Sequence, residues 1–449
     1  MEIDSGSTAW VLTCAALVML MTPGLAFFYG GMSRAKSVLN MMMMSLGSIA
    51  VISVLWVLVG YSLTFGSGSG PLSPIIGGLD TVGLTSILTG ENNAIEGLPD
   101  MAFAAFQMMF AIITVALISG AIADRARFGA WMVFAPVWAL LVYFPIAHWV
   151  WSADGWIFNL GAIDFAGGTA VHINAGAAAL AVALVVGRRK GFGTDDGFRP
   201  HNLPFVLLGA ALLWFGWFGF NAGSAVAANT TASIAFVNTQ VATAAAAGAW
   251  MLVERLRFKG ATSLGFASGA VAGLVAITPA ASTLDPIGSI ILGLIAGAVC
   301  SFAVSLKYRL GFDDSLDVVG IHLVAGVIGS IAIGFLATGA VTSVTMAEET
   351  NGLFFGGGLS VLITQVIAVV AVLLYSFVAS FIIAKVIDMV MGFRVREEVE
   401  VDGIDQVHNE SAYEFTGMHG TGAFGAETPA SSNGTAPGEP VKTEQKVEA

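Results

Sequence analysis

Long stretches without Asp, Glu, Lys or Arg alternate with short polar segments along most of the chain. The uncharged stretches are Ser37–Leu79, Phe128–Ala153, Leu203–Val253, Val318–Ala347 and Thr350–Ala384. Each can hold one or two helices of about 20 residues, the length that crosses the hydrocarbon core of a bilayer. The pattern predicts eleven transmembrane helices, numbered here as spans 1 to 11, near residues 8–31, 38–65, 101–123, 128–148, 168–187, 203–227, 234–253, 262–280, 286–306, 317–338 and 357–391.

The composition supports a membrane protein and disfavours a soluble one. The 449 residues are 56% hydrophobic and 11% charged, whereas a soluble domain is about 25% charged. The 55 glycines suit close packing of helices in lipid. We therefore expect an all-α, multi-pass integral membrane protein in contact with lipid.

The basic residues predict how these helices cross the membrane. All 18 Lys and Arg residues follow an odd-numbered span or lie at the end of the last one. Loops rich in Lys and Arg stay in the cytoplasm. This predicts an N-terminus outside the cell, a C-terminus in the cytoplasm and an odd number of spans.

A short pattern occurs twice, once at span 5 and once at span 10. Asp164, His172 and Ala175-Gly176 form the first copy; Asp314, His322 and Ala325-Gly326 form the second. Both copies read D-x7-H-x2-A-G. Because span 10 comes five spans after span 5, an odd difference, the two helices run in opposite directions. This predicts an inverted repeat of five plus five spans with one additional C-terminal helix, an arrangement that places a functional site near the midplane.

The spacing within the repeat also predicts that His172 and His322 are neighbours. Eight helical residues rise about 12 Å, and the hydrocarbon core is about 30 Å thick. Entering from opposite faces, both imidazoles reach the centre. A buried histidine can also serve only to hydrogen-bond a neighbouring helix, or can bind a metal. Two at symmetric depth favour a transport pathway, and we expect neither a metal nor a cofactor.

Aromatic residues are concentrated in spans 3, 4 and 6. Phe103, Phe106 and Phe110 share one face of span 3. Trp149 and Trp151 end span 4. Span 6 contains a run of aromatic residues: Trp214, Phe215, Trp217, Phe218 and Phe220. These residues can line a pathway, pack the bundle or form an interfacial belt.

Several stretches resemble one known family, the ammonium transporter, methylammonium permease and Rhesus glycoprotein family, and most closely its bacterial ammonium transporters. The stretch from Asp164 to Gly176, DFAGGTAVHINAG, is the most specific. The others are MTPGLAFFYGGM at 21–32, the Phe106-Gln107 to Phe110 segment, and the segments 219–224, 314–322 and 392–413. The resemblance runs from about residue 5 to residue 413.

The resemblance implies roles for individual residues. By this resemblance, Phe106, Trp151 and Ser224 correspond to the family's outer recruitment site for ammonium, with Asp164 as its structural carboxylate. Phe110 and Phe220 correspond to the family's stacked gate. His172 and His322 correspond to its pore centre.

The resemblance also implies a function and partners. We expect a transporter rather than an enzyme, without catalytic residues or nucleic-acid binding. It would take up ammonium, or ammonia after deprotonation, and methylammonium across the plasma membrane as a homotrimer. A PII-type nitrogen regulatory protein would bind its cytoplasmic face. The alternatives are an ammonium sensor with little net flux and a channel for a small neutral solute, whose lining would carry more hydrogen-bonding groups.

The composition changes after the last span. We expect residues 1–391 to form the transmembrane domain and residues 392–415 a folded cytoplasmic regulatory tail. Residues 416–449 are rich in Gly, Ala, Thr, Pro and Glu, a composition typical of a disordered segment.

Overall fold

The chain forms a bundle of eleven long, apolar helices in the part that the structure describes. The computed structural model describes residues 3–68, 70–88, 95–194, 199–408 and 410–413. The predicted low-complexity tail at 416–449 lies outside these residues. The helices long and apolar enough to cross a membrane are Ser5–Met32, Val38–Phe65, Asp100–Ile122, Phe128–Asn159, Gly168–Val186, Leu203–Gly223, Thr230–Phe258, Ser263–Ala280, Pro286–Leu310, Val319–Leu336 and Ser360–Met391.

These bounds confirm the eleven predicted spans. Span 4 ends at Trp151, as its terminal aromatic residues predicted, a few residues beyond the approximate bound of 148. A short helix, Trp156–Asn159, follows it. The last span is 32 residues long.

Four π-helical turns interrupt the spans. They lie at Trp56–Gly60, Ala139–Tyr143, Gly168–Ile173 and Val319–Leu323. Such turns are rare and are often found at functional sites. The last two contain His172 and His322, so both histidines lie in the first turn of their helices.

Small residues allow spans 1 and 6 to pack closely. A Cβ atom added to Gly24 of span 1 would lie 3.0 Å from the Cβ of Leu212 in span 6. One added to Gly209 of span 6 would meet the backbone of Phe28. Glycine is required at Gly209, where a Cβ atom would overlap the backbone of span 1, whereas a Cβ atom at Gly24 would be tight and would ask Leu212 to shift slightly.

Spans 5 and 10 are antiparallel and begin in the same way. The first turn of each contacts the body of the other. The Asp164 carboxylate accepts hydrogen bonds from the N–H groups of the first turn of span 5. The Asp314 carboxylate accepts the N–H groups of Val318 and Val319, at 3.1 and 2.7 Å, at the start of span 10. The repeated aspartates therefore cap the two helices that carry the histidines.

A network of charges joins the loops at the opposite end of the bundle from Trp151. We call this end the Arg189 end. Arg189 forms 2.9 Å ion pairs with Asp124 and with Asp313. Arg125 is fully buried and donates to backbone carbonyls, and burial lowers its pKa to about 10. Burial alone would raise the pKa of Asp313, but the hydrogen bond and charge of Arg189 and the charge of Arg125 outweigh it and lower that pKa.

The described part of the tail packs against this network. It contains two short helices, Glu397–Asp402 and Ile404–Val407. Glu400 is buried, pairs with Arg394 at 2.7 Å and accepts the N–H of Lys190 at 2.7 Å. The Asp405 carboxylate accepts the N–H groups of residues 39 and 40 and so caps span 2.

Candidate functional site

The two repeated histidines meet inside the bundle. The Nδ1 atoms of His172 and His322 are 3.3 Å apart, and the planes of the rings differ by 18°. Their exposed fractions are 2% and 3%. One Nδ1 must donate and the other accept, because two protonated or two bare nitrogens cannot share a hydrogen bond. The two imidazoles are therefore in complementary tautomers.

Span 6 fixes the ring of His172. Trp217 stacks on that ring at 5.4 Å and 18°, and its indole N–H donates to the hydroxyl of Thr278 at 2.8 Å. The sequence analysis singled out the aromatic run of span 6 but did not assign Trp217 to the histidines. Nothing in the local sequence indicates that its partner is a threonine in span 8.

A narrow cavity surrounds the histidine pair. His172 and His322 supply the imidazoles, and the other lining residues are apolar or aromatic. They are Met21, Leu25, Phe28, Ile113, Leu117, Val171, Leu213, Trp217, Phe220 and Val271. The Nε2 atom of His172 is buried and has no hydrogen-bond partner among the described residues. The cavity therefore offers hydrogen bonds to a small guest only at its imidazoles.

Two phenylalanines separate this cavity from Trp151. Phe110 and Phe220 are stacked with their ring centroids 4.3 Å apart. Phe220 also lies 6.0 Å from the His172 ring. Both rings are fully buried. A small molecule moving between Trp151 and the histidines must therefore displace these rings.

The residues predicted for the outer site lie on the far side of this stack. Phe106 and Trp151 contact Phe110 edge to face, with ring centroids at 4.9 and 5.8 Å. The hydroxyl of Ser224 donates to the carbonyl oxygen of Phe220 at 2.8 Å. Since its proton is engaged, the Ser224 oxygen presents lone pairs that can accept an N–H group.

The fourth residue predicted for this site, Asp164, has both carboxylate oxygens engaged. They accept the N–H groups of Gly167, Gly168, Thr169 and Ala170, and also the hydroxyl of Thr169. Its carbonyl oxygen accepts the indole N–H of Trp151 at 3.0 Å. Asp164 thus joins the outer aromatic residues to the helix that carries His172, without offering a free carboxylate.

Comparisons with known proteins show the family to which the chain belongs. A model of the Ammonium Transporter Family matches residues 9–413. The ammonium transporter of Mycobacterium tuberculosis is 52% identical over 440 residues, which cover 93% of this chain and 92% of that relative. The crystal structure of Candida albicans Mep2 has a TM-score of 0.83 at 36% identity and covers 88% of both chains. A structure described as Sensor Amt Protein has a TM-score of 0.82 at 29% identity, over 90% of this chain and 98% of that one.

The eleven long, apolar helices of the described residues define a multi-pass membrane protein. The family match and the identity to known ammonium transporters define it further. The chain belongs to the ammonium transporter family.

Proposed function

We propose that this protein conducts ammonium, or ammonia derived from it, across the plasma membrane through a pore centred on His172 and His322. The observation that carries the proposal is the hydrogen-bonded imidazole pair, almost fully buried in an otherwise apolar lining. An intact cation would pay a large desolvation cost in such a lining. A small neutral molecule that can form hydrogen bonds would not pay this desolvation cost.

Recruitment begins at Trp151, Phe106 and Ser224. The aromatic faces attract a cation, by up to about 2 kcal/mol when it is desolvated. The Ser224 oxygen accepts one N–H group. These interactions favour ammonium over a neutral solute, and this distinguishes the proposed site from that of a channel for small uncharged molecules.

Selection against potassium occurs deeper in the pore. Ammonium and potassium have similar radii, so size alone cannot separate them. Burial disfavours the charged form of an ammonium-type group, so loss of a proton becomes easier beyond Phe110 and Phe220. Potassium has no proton to lose and remains at the outer site.

The histidine pair then guides the neutral molecule. Complementary tautomers present both a donor and an acceptor nitrogen to ammonia, which can use both. When the proton returns to the solution on the Trp151 side and ammonia passes alone, transport is electroneutral. A proton relayed along the pair makes transport electrogenic, and current recordings distinguish the two.

The orientation of the bundle supports uptake from outside the cell. The basic loops meet at the Arg189 end, and by the positive-inside rule that end is cytoplasmic. The Trp151 end is then extracellular. Residues 1–391 would form the transport domain, 392–415 a regulatory tail and 416–449 a low-complexity extension. The family resemblance supports a homotrimer with one pore per subunit and a PII-type protein bound at the Arg189 end.

The similarity to a structure described as Sensor Amt Protein supports a second candidate function, that of an ammonium sensor. A sensor would bind ammonium at the same residues without meaningful flux. Uptake of labelled methylammonium into proteoliposomes distinguishes the two functions, with empty liposomes as the control. We expect saturable uptake that unlabelled ammonium inhibits. Binding to the purified protein without uptake would identify a sensor and overturn the transport proposal.

A further inference from the structure

Gln365 of span 11 makes three hydrogen bonds to backbone atoms of other segments. Its Oε1 atom accepts the N–H of Ile163 at 2.7 Å. Its Nε2 atom donates to the carbonyl oxygen of Ile163 at 2.8 Å and to that of Ser330, in span 10, at 3.0 Å. The side chain is 1% exposed. Both N–H groups and the oxygen of the amide therefore make hydrogen bonds. Two of the three bonds bind Ile163, one at its N–H and one at its carbonyl oxygen.

The residue that Gln365 holds is the immediate neighbour of the proposed outer site. Ile163 precedes Asp164, whose carbonyl oxygen accepts the indole N–H of Trp151. Gln365 therefore fixes the backbone segment to which the indole N–H of Trp151 donates its hydrogen bond. Ser330 belongs to the helix that carries His322, so the same amide also ties this loop to the second half of the repeat.

Packing alone does not explain a glutamine at this position. Span 11 contains the most apolar 18-residue stretch among the eleven spans. Burying an amide destabilises the fold unless its hydrogen bonds are made, and a leucine or methionine would fill similar space without that cost. The specific gain is the fixed position of the loop before span 5.

We propose that Gln365 is a positioning residue for ammonium recruitment: it holds the Ile163–Asp164 backbone and, through it, sets the ring of Trp151. This inference rests on the proposed function, in which Trp151 lines the outer site. It predicts that Gln365 affects the half-saturation concentration of transport and does so through Trp151.

The experiment is a double-mutant cycle on protein reconstituted in proteoliposomes, with methylammonium as the transported probe. Gln365→Leu should raise the half-saturation concentration about five- to tenfold, the equivalent of one or two lost hydrogen bonds, and leave the maximal rate nearly unchanged. Trp151→Leu should also raise half-saturation. The double variant should match Trp151→Leu alone in half-saturation, because the proposed effect of Gln365 on recruitment passes through that ring.

Ser376→Ala is the matched control. Ser376 lies in the same helix, is buried and donates at 2.8 Å to the carbonyl oxygen of Asn174, deeper in span 5. It should leave half-saturation unchanged. If Gln365→Leu does not assemble, Gln365→Asn, which keeps the amide but is shorter, takes its place with the same expected results.

Two outcomes overturn the positioning role alone. The first is a shift in Trp151→Leu with none in the Gln365 variant. The second is a double variant whose shift is the product of the single shifts, which would show independent action. Unchanged half-saturation in Trp151→Leu would instead overturn the outer site itself, and the positioning role with it.

Discussion

Trp151 donates its indole N–H to the carbonyl oxygen of Asp164 at 3.0 Å, and the carboxylate of Asp164 caps the helix that carries His172. Asp164 thus connects Trp151 to the helix that carries His172. A displacement of the loop around Asp164 would move both the indole ring and the start of span 5. This connection is the route by which we propose that Gln365, which is remote from the histidines, affects transport.

Loss of the outer contacts should weaken apparent affinity. Trp151→Leu and Ser224→Ala should each raise half-saturation for methylammonium by roughly tenfold, or about 1.4 kcal/mol, because one cation–π contact or one hydrogen bond is lost. Concentration-dependent uptake in proteoliposomes measures this. Trp156→Leu, at the same end of the bundle, serves as the control. Unchanged half-saturation in both variants would remove these residues from the site.

A charge at the pore centre should weaken discrimination against potassium. In His322→Asp, a fixed carboxylate would stabilise an intact cation where a neutral imidazole favours ammonia. Potassium currents should then appear alongside ammonium currents. The neutral variant His322→Gln should not carry them. Continued exclusion of potassium by an actively conducting His322→Asp protein would mean that selection is complete before the histidines.

The ion pair between Arg189 and Asp313 should make stability depend on pH. The lowered pKa of Asp313 means that its stabilisation is present above the usual carboxyl pKa of about 3.9 and is lost as pH falls through the lowered value. Asp313→Asn should unfold more easily at pH 7, by about 3 kcal/mol for a broken buried pair. Melting curves in detergent should show this difference shrinking below about pH 4. A difference that stays constant across pH would rule out the ion pair as its cause.

The tail should regulate transport. Glu400 and Asp405 attach it to the basic loops and to span 2, so deleting residues 392–449 should lower or deregulate flux and abolish binding of a PII-type protein. Deleting only 416–449 should change little, since a low-complexity segment has little apolar surface with which to dock. Pull-downs and uptake assays on both deletions test this. Binding and regulation that survive the longer deletion would contradict it.

The sequence predicted the spans and the repeat because both depend on local patterns. Stretches without charge indicate membrane helices directly, and the spacing from aspartate to histidine repeats at span 10. The structure brings His172 and His322 together, as the mirrored depth of the two histidines predicted.

Contacts between distant segments could not be predicted in this way. Gln365 contacts Ile163, which lies 202 residues earlier in the chain, and one glutamine in an apolar helix does not indicate its partner. Trp217 of span 6 stacks on His172 of span 5 through tertiary packing, which a single sequence does not specify. The π-helical turns likewise depend on tertiary packing rather than on local propensity.

The most direct test of the central claim is the recording of current and internal pH in proteoliposomes that contain the purified protein. Ammonium gradients should drive saturable transport, seen as a current, a pH change or both, while equal potassium gradients drive none. Replacing Trp151 with leucine should shift the ammonium response to higher concentrations. Equal currents with potassium, or no ammonium-dependent signal above that of empty liposomes, would contradict selective ammonium conduction through this pore.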